Sequence, residues 1–289
     1  MRADLHLHTS FSDGTFSPTA LVELYARLGC DVMSVTDHDT VDGLPEAMEA
    51  AGKHPELTLI PGVEFSARFE DFDCHILGYG IDFTSAPIRN CLSYSAGLRH
   101  EKLSLRLAYL EERFGVALSE QAQARLYGRD SVGRLHIAKE MVAEGFGQSV
   151  EQALHTYLVG KDFPERAVDA RRCIEAIKNA GGVAVFAHPL GGEGDRHIDL
   201  PLARSRILSL REAGVEGVEC FYSRYSYLEE SGLKNIAKEL GMAVSAGSDF
   251  HGANKTVKPL ELSSDGYFPD SEELTLLRRF GFGSKVRRA

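Results

Sequence analysis

Asp4-Leu5-His6-Leu7-His8 sets a carboxylate and two imidazoles on alternate residues, and Asp13 follows five positions later. In a β-strand, all three polar side chains of that run project to one face. Packing explains such a face poorly, because the imidazoles repel when protonated and waste burial when neutral. A divalent cation removes both objections, since neutral imidazole and carboxylate are ready ligands for it. The competing reading is a strand with a solvated polar face. It is weakened by recurrence of the same residue types in Asp37-His38-Asp39, Val63-Glu64, Cys74-His75, Ala187-His188-Pro189 and Ser248-Asp249-Phe250-His251.

The elements that must position these residues alternate between short apolar runs and helical stretches. Strands are expected over 4–8, 32–36, 57–65, 75–81, 183–187, 215–221 and 243–247. Helices are expected over 17–28, 44–53, 171–180, 207–213, 228–240 and 272–280. Ser17 is a plausible N-cap, Pro18 fits the first turn and Gly29 ends the helix between them. Strand–helix alternation predicts parallel strands with helical crossovers, and length with strand count favours a closed α/β barrel over an open sheet. No Gly-rich nucleotide fingerprint follows the first strand. Residues 87–163 break the rhythm: helices over 98–114, 119–127, 135–144 and 150–158, with no strand. The chain is therefore divided into a barrel, 1–87 with 164–289, and an all-helical insertion over 88–163.

Nearly every polar candidate falls at or just after the carboxyl end of an expected strand, and a parallel barrel gathers those ends on one face. The set is His6, His8, Asp13, His38, Glu64, His75, His188, Asp249 and His251. Nine ligands exceed the needs of one or two ions, whereas three, with Glu64 bridging two, would use them all. Imidazole and carboxylate without thiolate suit Mn, Zn or Fe better than Ca or Mg.

These motifs, taken with Ser12-Asp13-Gly14 and Thr36-Asp37-His38-Asp39, closely resemble those of the PHP (polymerase and histidinol phosphatase) family of metal-dependent phosphoesterases. The resemblance implies a distorted seven-stranded, TIM-like β/α barrel and a trinuclear centre. It implies that His6, His8, Glu64 and Asp249 hold one ion, Glu64, His75 and His188 a second, and Asp13, His38 and His251 a third. Many relatives carry a histidine where Asp13 stands, and the oxygen-richer third site points towards manganese. Catalysis is then expected from a hydroxide between two ions held by Glu64, His75 and His188, with Asp249 nearby, while the third ion grips a phosphate oxygen. Candidate leaving-group acids are His136 and His197. Asp4 is expected to orient a metal-bound imidazole.

Substrate choice is expected to lie in the insertion. Arg99, Lys102 and Arg106 are spaced three and four apart on one helical face, and Gly133-Arg134-Leu135-His136 follows. Arg99, Lys102, Arg134 and His136 are the expected substrate contacts, and Arg106 is read as solvated. Cations in a lid fit a substrate with a second phosphate. Short barrel plus helical insertion resembles the nucleoside 3′,5′-bisphosphate phosphatases and the 5′→3′ exoribonucleases within the family. The expected reaction converts a nucleoside 3′,5′-bisphosphate such as pAp to the 5′-monophosphate. Trimming of short 5′-phosphorylated RNA and hydrolysis of histidinol phosphate are the alternatives, and a non-catalytic accessory module ranks last. Phe221, Tyr222 and Tyr225 are weighed as base-stacking residues, against the commoner role of aromatics as wall or core.

Bulk properties agree. The 289-residue chain is 43% hydrophobic and carries a formal net charge of -10. That charge argues against coating long nucleic acid, but not against a small phosphorylated ligand. Five scattered cysteines without a CxxC pair read as reduced thiols in a cytoplasmic protein. No signal peptide, membrane span or obligate protein partner is expected.

Overall fold

A computed structural model describes residues 1–158, 163, 166–193 and 196–282. Residues 159–162 of the expected insertion, and 164–165, 194–195 and 283–289 of the expected barrel, lie outside the described residues.

The barrel is built from β1 (Ala3–Leu7), α1 (Pro18–Arg27), β2 (Val32–Val35), α2 (Leu44–Ala51), β3 (Thr58–Phe69) and β4 (Phe72–Tyr79). The helical excursion contains α3 (Ala86–Phe114), α4 (Glu120–Tyr127), α5 (Arg134–Ala143) and α6 (Val150–Ala153), the last running into a π-helical turn at Leu154–Leu158. The chain returns through β5 (Val168–Asp169), α7 (Ala170–Asn179), β6 (Val183–Phe186), α8 (Leu200–Glu212), β7 (Gly217–Tyr222), α9 (Tyr227–Glu239) and β8 (Ala243–Gly247). Seven strands follow one another in the order β1-β2-β3-β4-β6-β7-β8, and β5 pairs with β3 off that path. The ring is drawn almost shut where β1 meets the end of β8. There the Asp249 N–H donates to His6 O at 2.9 Å and the His8 N–H to Phe250 O at 3.0 Å.

Parallel strands covered on both sides are buried along their length and mostly apolar, and β1, β2, β6 and β7 are buried at every residue, the polar Asp4, His6, Ser34 and Glu219 included. Local chemistry sets the helix ends as the sequence suggests. Ser17 Oγ accepts the Ala20 N–H at 3.2 Å, and Gly29 beyond the helix takes φ 68°.

Three expectations need correction. The strands are not all parallel: β4 pairs antiparallel with both β3 and β6. A tight turn at Glu70, φ 52°, folds β4 straight back along the unusually long β3, so no helix intervenes. The eighth helix begins at Leu200, not Ile207, because Asp199 caps it with a 3.0 Å bond from the Leu202 N–H and Pro201 fits its first turn. Residues 272–280 form no α-helix, only a 3₁₀ turn at Thr275–Phe280.

The buried apolar residues form two clusters. The larger lines and surrounds the barrel, and it includes Ile88, Cys91 and Leu92 from the start of α3. The smaller belongs to the helical excursion and holds Leu103, Leu110, Val116, Leu126, Ile137 and Met141. α3 thus starts twelve residues earlier than its periodicity suggests, and it is shared by both cores. All five cysteines are buried free thiols. Among the described residues, no helix is long and apolar enough to cross a membrane.

Candidate metal centre

The strand ends and the loops beyond them bring all nine expected ligands into direct contact with one another. His6 Nε2 and His8 Nε2 lie 3.1 and 3.2 Å from Glu64 Oε2, and His8 Nε2 lies 3.2 Å from Asp249 Oδ1. The other Glu64 oxygen, Oε1, is 2.8 Å from His75 Nδ1 and 3.3 Å from His188 Nε2, and those two nitrogens are 3.2 Å apart. His251 Nε2 is 3.1 Å from Asp13 Oδ1. The His38 ring centroid lies 4.5 Å from that of His8, and its Nδ1 lies 3.0 Å from Glu64 Oε2. His6, His8, Glu64 and Asp249 form one group that could hold an ion, His8, Asp13, His38 and His251 another, and His38, Glu64 and His75 a third, with His38 where the resemblance implied His188. His8 belongs to the first two and His38 to the last two, which the sequence did not suggest.

These contacts have the character of a metal site. His6 Nε2, both nitrogens of His8, Asp13 Oδ1, Glu64 Oε2 and His251 Nε2 are buried without a hydrogen-bond partner among the described residues. Leaving so many buried polar atoms unpaired is costly. Ligands about 2.1 Å from a shared ion stand roughly 3.0–3.4 Å apart, close to the spacing seen. The donor set therefore fits a divalent cation.

Charge is balanced within the cluster. Burial alone would raise the Glu64 carboxyl, but His38, His6 and His75 hold it well below its usual range. Asp249 and Asp13 are likewise held low, against their own burial, by Lys255 with His251 and by His251 with His38. Burial would lower His8, but the Asp249 and Glu64 carboxylates beside its ring lift it to about 9. Protons on such rings compete with a metal, and loading releases them.

Backbone geometry at the strand ends is unusual. Asp39, His188 and Asp249 take φ of 49°, 27° and 57°, a left-handed region that non-glycine residues seldom occupy. Such strain gathers at functional sites. Gly247 is needed for close approach: a Cβ there would fall 2.1 Å from the His6 Cβ and 2.6 Å from Glu219 Oε1.

Glu219 is a residue that sequence reasoning missed. It is fully buried in β7, and its Oε1 lies 2.9 Å from His6 Nδ1 while Oε2 accepts the His188 N–H at 2.7 Å. The signal was present, because a lone acid inside the apolar run Val218–Tyr222 is expensive to bury. Asp4, given that task above, does something else. It accepts the Ser248 N–H and the Tyr25 hydroxyl, both at 2.9 Å, and touches no imidazole. Asn254 donates through Nδ2 to Asp13 O.

The excursion places its cations as the spacing implied, with two corrections. Arg99, Lys102, Arg106, Arg134 and Arg166 line one cavity of about 220 Å³ together with Ser66 and His75. Arg106 is thus a wall residue and not a solvated one. Arg99 lines the cavity, but four of its five N–H donors are already used: two on Asp39 Oδ2, one on Val132 O and one on Ser66 Oγ. It bolts the lid to the barrel and does not reach a ligand as a free fork.

His136 is corrected as the leaving-group acid. Its Nδ1 accepts the Gly133 N–H at 3.1 Å and its Nε2 donates to Ser12 O at 3.0 Å. Burial also lowers its pKa, so it is a neutral tie between α5 and the loop of Asp13. His197 lies on the wall of a second cavity, about 450 Å³, with His188, Arg196 and Arg206. Its Nε2 is 2.7 Å from Oε1 of Glu229, the capping glutamate of α9. His75 and Asp73 line both cavities, so the two adjoin at His75, a member of the ligand cluster. Phe221, Tyr222 and Tyr225 are fully buried and offer no face to a base.

The PHP domain profile matches residues 4–178, more than half of the chain. The chain belongs to the PHP domain family. A 5′-3′ exoribonuclease of Haemophilus influenzae is 34% identical over 86% of this chain and 89% of its own length. A 3′,5′-nucleoside bisphosphate phosphatase of Chromobacterium violaceum is 29% identical over 86% of each chain. Among solved structures, a Bifidobacterium adolescentis protein classed as a metal-dependent phosphoesterase superposes with a TM-score of 0.79 at 28% identity, covering 96% of both chains. This PHP protein is accordingly a phosphoesterase-type enzyme whose His, Asp and Glu cluster could bind metal.

Proposed function

We propose that this PHP enzyme hydrolyses the 3′-phosphoester of a 5′-phosphorylated nucleotide, with nucleoside 3′,5′-bisphosphates such as pAp as its smallest substrates. The observation that carries the reading is His75, shared between the ligand cluster and a cavity walled by five basic side chains. A cavity so cationic beside a phosphoesterase centre suits a substrate with a second phosphate. The proposed ligands are those named above: His6, His8, Glu64 and Asp249, then Glu64, His75 and His188, then Asp13, His38 and His251. Three divalent ions there, Mn2+ foremost, would supply Lewis acidity and a nucleophile at neutral pH.

The chain's own residues divide the remaining work. Lys102 and Arg134 bind the 5′-phosphate, and Arg99 adds charge to the wall while locking the lid. His197, paired with Glu229, holds a proton for the departing oxygen. Glu219 fixes the ring of His6 and the backbone of His188.

A second reading is favoured by the cavity beyond His75, where Arg196 and Arg206 stand. A longer 5′-phosphorylated RNA would run there past the scissile phosphate, and 5′-3′ exoribonuclease is the name carried by the Haemophilus influenzae relative. The test is steady-state turnover by the manganese-loaded enzyme of pAp, histidinol phosphate and a 5′-phosphorylated RNA dinucleotide. The bisphosphate is expected to be turned over well above histidinol phosphate, and release of mononucleotide from the dinucleotide supports the second reading. Turnover of pAp no faster than a generic phosphomonoester sinks the bisphosphate assignment.

A further inference from the structure

We propose that Lys255 is a positioning residue of the metal centre, holding Asp249 so that it offers a single oxygen to the ions. The inference rests on the metal-centre reading above. Lys255 follows the 3₁₀ turn Gly252–Asn254, and its Nζ lies 2.6 Å from Asp249 Oδ2. The Tyr222 hydroxyl donates to the same oxygen at 2.8 Å. A carboxylate oxygen has two lone-pair sites, and these two donors fill both.

The rest of Asp249 is tied as well. Its N–H donates to His6 O at 2.9 Å, and its carbonyl accepts from His251 Nδ1 at 2.8 Å. Oδ1 alone is left, and it faces His8 Nε2 at 3.2 Å and His6 Nε2 at 3.6 Å. The backbone of Asp249 is itself left-handed, with φ 57°. Without Lys255 the carboxylate could turn and chelate with both oxygens, or swing away.

Charge supports the same role. Among the described residues, Lys255 is the single lysine or arginine paired with an acidic member of the cluster; Glu64 and Asp13 meet only imidazoles. The lysine side chain is only 18% exposed. A fixed cation there relieves repulsion among the clustered carboxylates before any ion arrives.

The test uses the full chain, stripped of metal and titrated with Mn2+ by calorimetry, with release followed after adding a chelator. Lys255→Met is expected to weaken Mn2+ binding and speed its release by roughly 10- to 100-fold, the usual effect of losing a residue that orients a ligand. Lys255→Arg, which keeps a charged donor, is expected to regain most of that loss. Tyr222→Phe leaves Oδ2 with one donor and is expected to weaken binding several-fold, so it carries the test should Lys255→Met fail to fold. Wild-type Mn2+ affinity and release in folded Lys255→Met overturn the proposal. So does a raised KM for pAp with Mn2+ binding unchanged, which would put Lys255 on the substrate. A wild-type chain that takes up no Mn2+ fails differently, because it removes the metal centre itself.

Discussion

Glu219 couples two ligands from different strands. One oxygen lies 2.9 Å from His6 Nδ1, and the other accepts the His188 backbone N–H at 2.7 Å. The first contact fixes which His6 nitrogen faces the ion; the second fixes a residue in a strained conformation. Glu219→Gln keeps the volume but can accept through one oxygen only. Mn2+ affinity is expected to fall roughly 10- to 100-fold, read by calorimetry, with the fold retained by circular dichroism. Unchanged affinity would remove Glu219 from the centre.

Arg99 and Asp39 join the lid to the barrel through a buried pair; Asp39 is fully buried on its side chain. Removing one partner from a buried pair costs about 3–5 kcal/mol, because the other is left uncompensated. Arg99→Ala is therefore expected to lose stability of that order in urea unfolding. Arg99→Lys, with fewer donors, should fall between. A loss under about 1 kcal/mol, the range of surface pairs, would mean that the bolt is not closed in solution.

Arg134 opens α5 on the cavity wall, and its side chain makes no hydrogen bond with the described residues. Arg134→Ala should raise KM for pAp about 10-fold or more, since a hydrogen bond to a charged group is worth about 1.5–3 kcal/mol. Hydrolysis of a plain phosphomonoester should hardly change. Equal loss on both substrates would place Arg134 outside the 5′-phosphate site.

Much of this was legible before any coordinates. His6, His8 and Asp249 announce themselves because metal ligands sit at strand ends, and an alternating run cannot hide them. The antiparallel course of β4 was not legible, since a two-residue turn leaves no helical signature and His75 reads the same in either direction. Glu219 and Lys255 escaped because each acts through another residue, and sequence spacing does not report a contact across the barrel. Arg99 was found for its charge and misread in its task, because nothing local reveals that Asp39 already holds it.

Glu230 on α9 is buried, and burial pushes its carboxyl up to about 7, with Ser263 and Lys234 opposing. The folded protein therefore binds a proton that the unfolded chain has released above about pH 4.5. Stability from this group is present below that pH and is lost as pH rises towards 7. Glu230→Gln should remove the slope, so that its melting temperature relative to wild type improves between pH 5 and pH 8. Parallel shifts in both proteins would show that Glu230 is not the group responsible.

The 29-residue α3 has one end in each core. The lid is consequently no detachable cassette. Cutting it out at residue 88 would strip Ile88, Cys91 and Leu92 from the barrel wall. Any graft of a foreign lid must be spliced in mid-helix, beyond the last turn that the barrel owns. The phase of that splice matters as much as its site. One residue too many would swing the side chains that take the places of Lys102 and Arg106 by about 100° around the helix, and the grafted lid would fold with its cations aimed away from the cavity.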